Sequence, residues 1–147
     1  MRQIIYSLQF RGQATAVREG VLKAITTAPS CRRETVVGLE GVHSVLEDVA
    51  GESVSFESEV TFTGETSFHE EGTIAFGGNR HRLRFSTVGQ GYLAASADPA
   101  QQQGAVTWKV EEGEGQFARA TGLITSNFLA GAAGEVIDNH VGVIFVE

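Results

Sequence analysis

One cysteine, two prolines and one tryptophan stand among the 147 residues. A lone cysteine, Cys31, excludes an intramolecular disulfide and any zinc site built on cysteines. Long apolar runs are missing too, since no stretch approaches the roughly 20 residues that span a bilayer as a helix. The opening Met1–Tyr6 has neither the apolar run nor the small-residue cleavage site of a secretory signal. The expectation is a cytoplasmic protein with no membrane partner.

Basic residues are scarce: 11 Lys and Arg stand against 18 Asp and Glu, for a net charge of −7. Their one cluster is Arg80, Arg82 and Arg84 around His81. A nucleic-acid surface needs a broader track of cations than that, so no nucleic-acid partner is expected. The Arg row reads as a solvated strand face, or as partners for Glu57 and Glu59 across a sheet. His43, His69, His81 and His140 lack the spacing of metal-binding motifs, and no metal is expected. Neither a phosphate-cradling glycine loop nor a G-x-S-x-G elbow occurs, so no cofactor is expected.

What the chain does have is alternation. Ile4, Tyr6, Leu8 and Phe10 share one face of a run, and Val54, Phe56, Val60 and Phe62 one face of another. Period two is the signature of a half-buried strand. Phe68, Ile74 and Phe76 continue it, then Leu83 and Phe85 opposite the Arg row. Gly77-Gly78-Asn79 supplies residues that tolerate positive φ in a tight turn. Residues 53–63, 66–76 and 80–88 therefore form a meander. Val106, Trp108 and Val110 mark another strand, Gly113-Glu114-Gly115 a turn, and residues 121–128 and 135–146 two more strands. The last is apolar on both faces, so it is central or lies under an oligomer contact.

Residues 13–50 read two ways. Ala14, Val17, Val21, Ala24 and Ala28 fit a helical stripe, but Gly20 and Thr26-Thr27 favour a strand over 20–27. Residues 42–50 also fit a short helix. No linker or repeat divides the chain, so residues 1–147 form one domain. About eight strands with one apolar face each must close on themselves or pack in two layers. The fold expected is an all-β, closed antiparallel barrel with little helix.

Polar residues on inward faces are the candidates for chemistry, because burying one without a partner costs roughly 1–3 kcal/mol. They are Tyr6, Ser58, Glu70 and His81, with Asn127 and His140. Glu70 follows Phe68 on one face, unless Glu70-Glu71-Gly72 forms a bulge and swaps faces. A carboxyl in an apolar cavity has a raised pKa and exchanges protons near neutral pH. Asp138 and His140, two apart, share a face where the carboxylate would orient the imidazole. Glu70 and His140 are the catalytic candidates. Tyr6, Phe56, Ser58, Glu70, His81, Phe85, Trp108 and Asn127 are the ligand-binding ones.

The segment Gly113-Glu114-Gly115-Gln116-Phe117-Ala118-Arg119-Ala120-Thr121-Gly122 resembles the Gly-x-Gly-x-Phe-x-x-Ala-x-Gly turn-and-strand of the allene oxide cyclase and dirigent barrels. The chain is most similar to the bacterial barrels of this calycin-type group. Lipocalins fit less well, since their Gly-x-Trp start is absent and Trp108 comes late. The resemblance implies an eight-stranded barrel with an apolar cavity, assembled as a dimer or trimer, with Phe117 as a plug. It carries no catalytic position over to this chain. Three readings follow: a binder of a small apolar ligand, a cyclase or isomerase of a small hydrophobic substrate, and an assembly module with a filled core.

Overall fold

The computed structural model describes residues 1–147. The alternating runs become strands with their apolar sides turned inward. In chain order they are β1 (Arg2–Arg18), β2 (Val21–Ala28), β3 (Cys31–Gly38), β4 (Gly41–Asp48), β5 (Val54–Phe62), β6 (Ser67–Phe76), β7 (His81–Thr87), β8 (Gly91–Ala95), β9 (Gln101–Glu114), β10 (Thr121–Gly131) and β11 (Glu135–Val146). The only helical element is a 3-10 turn at Gly115–Phe117, so no helix is long and apolar enough to cross a membrane.

Eight strands close a barrel. The order is β1, β2, β5, β6, β7, β9, β10, β11, each antiparallel to the next, and β11 pairs back onto β1 from Arg2↔Val146 to Gln13↔Glu135. Closure leaves no long open edge among these strands. Strand β7 is short, and β8 completes its stave beyond Thr87 by bridging β6 and β9. Strands β3 and β4 pair only with each other. They form a hairpin inserted between β2 and β5, which meet directly from Val21↔Thr61 to Ala28↔Val54.

Neither helical reading of residues 13–50 is realised. The 20–27 region is strand β2, and Ala24, Thr26 and Ala28 turn inward on it. Gly20 (φ +76°) turns the chain so that β2 folds back along β1. Residues 42–50 lie mostly in β4, where Val42 pairs with Val37 and Val45 with Glu34. The turn expected at Gly113-Glu114-Gly115 falls later, because β9 runs through Glu114 and the chain turns at Gly115–Phe117. Glu70-Glu71-Gly72 forms no bulge: the β5–β6 register runs unbroken from Ser55↔Ala75 to Phe62↔Phe68.

The core fills one half of the barrel. Phe10, Phe56, Phe85, Trp108 and His140 form an aromatic layer across the middle, with Phe85–Trp108 centroids 4.3 Å apart and Phe10–His140 centroids 4.2 Å apart. Phe117 is buried and packs on Phe76 at 5.1 Å, closing one end. Two glycines permit this packing. A Cβ on Gly122 would lie 2.3 Å from the Val143 carbonyl oxygen, and one on Gly72 would lie 2.2 Å from that of Glu57.

Candidate functional site

The other half of the barrel is hollow. A cavity of about 480 Å³ opens between the β10–β11 turn and the ends of β1, β2, β5 and β8. Its walls are mainly Leu22, Val60, Phe62, Phe68, Leu93 and Phe128. Phe56, Thr26, Glu70 and Asp138 lie deeper, where the aromatic layer forms the floor. No lysine, arginine or histidine lines it.

Glu70 is held from both ends. Thr87, where β7 stops, accepts from the Glu70 backbone N–H at 2.8 Å and donates to its carbonyl at 2.7 Å. The Ser58 hydroxyl, opposite Gly72 on β5, donates to Glu70 Oε2 at 2.5 Å. Burial pushes the carboxyl up to about 8; the Ser58 hydrogen bond pulls the other way, and the charge of Asp138 adds to the rise. Glu70 is therefore a neutral acid at pH 7, with Oε1 free to carry the proton. The Trp108 N–H lies near enough to favour the carboxylate slightly, yet makes no hydrogen bond.

Asp138 is held by two side chains. Ser126 donates to its Oδ1 at 2.6 Å, and His140 Nε2 lies 2.9 Å from Oδ2. Nδ1 of His140 is buried among the rings without a partner, so Nε2 on Asp138 is the one polar contact of the imidazole. Thr26 Oγ1, on the cavity wall, is also buried and unpartnered. So is the Tyr6 hydroxyl, whose pKa burial drives upward, helped by Asp138.

Of the expected residues, the structure brings Phe56 and Glu70 to the cavity, with Ser58 behind Glu70. Phe85 and Trp108 belong to the filled layer beneath. Tyr6 packs its ring on Phe76 towards the closed end. His81 sits at that end, accepting from the Gln116 N–H at 3.0 Å. Asn127 is a correction: it faces outward, and its neighbour Ser126 points in. The Asp138–His140 pair is in contact, but with its members exchanged, since Asp138 lines the cavity and His140 supports it from below. The Arg row faces out, but Arg84 pairs with Glu112 at 2.8 Å, because β6 separates it from Glu57 and Glu59. Those two hold Lys23 and Arg18.

Sequence reasoning missed Thr26 and the apolar wall at Leu93 and Phe128. Their alternation was readable; which half of the barrel stays open was not. No three His, Cys, Asp or Glu side chains converge to hold a metal ion. Comparison with protein-family models, curated proteins and solved structures returns no match.

Proposed function

We propose that the barrel binds a small, mostly apolar, uncharged ligand in its open half. The observation that carries this is an apolar cavity narrowing onto polar groups without a cation. Its volume of about 480 Å³ lies within the range of small-molecule sites, which begins at roughly 300 Å³. Apolar walls supply affinity through desolvation. The neutral Glu70 donates to an acceptor on the ligand, and the unpartnered Thr26 hydroxyl gains a partner there. An anionic head would meet Asp138 with no counter-charge, so carboxylates are disfavoured.

Displacement of Nile red by decanol and by decanoate at pH 7 tests this. Decanol should compete at least about tenfold better, a difference of about 1.4 kcal/mol. Val60→Trp, which fills the cavity, should abolish dye binding while the far-ultraviolet circular dichroism stays that of the barrel. Preference for decanoate, or full binding by a folded Val60→Trp protein, would overturn the reading.

A further inference from the structure

Two carboxyl groups share the deep end of one apolar cavity, and burial keeps one of them, Glu70, protonated. Each has its own positioning group: Ser58 on Glu70, and Ser126 with His140 on Asp138. Placing a proton donor and a proton acceptor around one bound molecule is the arrangement that moves a proton along a carbon chain. We infer that the cavity isomerises a small apolar β,γ-unsaturated ketone, with Glu70 and Asp138 as its catalytic residues. This rests on the ligand-binding reading above and names the substrate class.

The step balances without an oxidant or a cofactor. Asp138 removes the proton between the carbonyl and the double bond. The electron pair of that C–H bond moves into a new carbon–carbon double bond, and the carbonyl electrons move onto oxygen. Glu70 Oε1–H donates its hydrogen bond to that oxygen, stabilising the dienolate in a site of low dielectric. Asp138 then returns the proton at the γ-carbon, and the conjugated enone forms. Ser126 and His140 are positioning residues, fixing Asp138 from two sides. The ionisable groups of the interior are Tyr6, Glu70, Asp138 and His140, so a pH profile reports on few groups.

Cyclohex-3-en-1-one is a suitable probe, because its conjugated product absorbs more strongly in the ultraviolet. The wild-type protein should isomerise it at least about a hundredfold faster than buffer at pH 7. The rate should fall above about pH 8 as Glu70 ionises. Asp138→Asn should lose that acceleration; Glu70→Gln, which keeps a donor, should lower kcat about tenfold with little change in KM. Exchange of the α-protons of cyclohexanone in D2O, followed by NMR, reads the first step alone. Isomerisation and exchange no faster than in buffer would overturn the inference. If the protein still binds decanol, the binding reading stands; loss of both removes it too.

A separate observation concerns the outer surface. One wall carries the ion pairs Arg18–Glu59, Lys23–Glu57 and Arg84–Glu112. The opposite wall is uncharged: Gln3 to Gln9 on β1, Thr121 to Leu129 on β10 and Ile137 to Phe145 on β11 present no ionisable outward side chain. Ile5, Leu123, Val141 and Phe145 are exposed there on neighbouring strands. The β3–β4 hairpin roots on the same wall, with Cys31 Sγ donating to the Ser7 carbonyl and Arg33 to Asn139 Oδ1 at 3.0 Å. It leaves Val37, Leu39 and Val42 in water. Wall and hairpin together leave seven large apolar side chains in water: Ile5, Leu123, Val141, Phe145, Val37, Leu39 and Val42.

We propose that a second copy of this chain covers that wall and hairpin. The barrel part of that surface has no charge to repel its own copy, although the chain as a whole carries −7, and the hairpin offers charges of both signs in Arg32, Arg33, Glu34 and Glu47. Light scattering after gel filtration at micromolar concentration should give an oligomer, and Leu123→Glu with Val141→Glu should give a folded monomer. A wild-type monomer, or an oligomer indifferent to those charges, would overturn the proposal.

Discussion

At the scale of single residues, Glu70 sets a measurable pH dependence. Its carboxyl rises from an ordinary 4.5 to about 8 on folding, chiefly through burial. Between those values the folded chain holds a proton that the unfolded chain has released. Stability from this group is therefore complete below about pH 4.5 and is lost as pH climbs towards 8, at up to about 1.4 kcal/mol per pH unit. Urea unfolding from pH 5 to 8 should show that fall in the wild type and a flatter profile in Glu70→Gln. Gly122 is a second sensitive position. Its φ of +146° and the Val143 carbonyl leave no room for a methyl group. Gly122→Ala should cost about 1–3 kcal/mol in the same measurement. The inward position of Glu70 was legible in the alternation around Phe68.

At the scale of elements, the β3–β4 hairpin stands apart from the barrel. Isolated two-stranded hairpins are marginal in water, and this one buries neither face in the core. Because β2 and β5 already pair up to Ala28↔Val54, residues 31–48 are removable in principle. Replacing them with a short Gly-Ser loop should leave barrel circular dichroism and ligand binding intact, while shifting the light-scattering mass to that of a monomer. The sequence left this region undecided because Val42, Val45 and Leu46 suit a helix face as well as a hairpin. Long-range pairing chose the strand. The meander at 53–88 needed no such help, because Gly77, Gly78 and Asn79 take the positive φ values that fold β6 back onto β7.

At the scale of the whole molecule, one half of the barrel gives stability and the other gives space. A ligand that occupies the open half adds stability by mass action, about 2.7 kcal/mol at a hundredfold excess over Kd. Saturating decanol should raise the Tm of the wild type and leave that of Val60→Trp unchanged, as differential scanning fluorimetry would show. Raised salt should change either Tm little. The outer ion pairs are largely exposed, and such pairs are each worth under about 1 kcal/mol.

The sequence by itself determined the staves. Period-two alternation names which side of each strand faces in, since a strand's side chains turn by half a revolution per residue whatever its neighbours are. That placed Glu70, Ser58 and His140 inside. Tertiary structure decided what lies beside them. Asn127 and Ser126 differ by one residue in a run whose outward face is also apolar, so local pattern could not say which points in. Asp138 and His140 share a face in sequence, but only barrel closure put the carboxylate at the cavity and the imidazole among Phe10, Phe56 and Trp108. The empty half likewise follows from where aromatic side chains of strands far apart in sequence meet, a fact of packing that no single run contains.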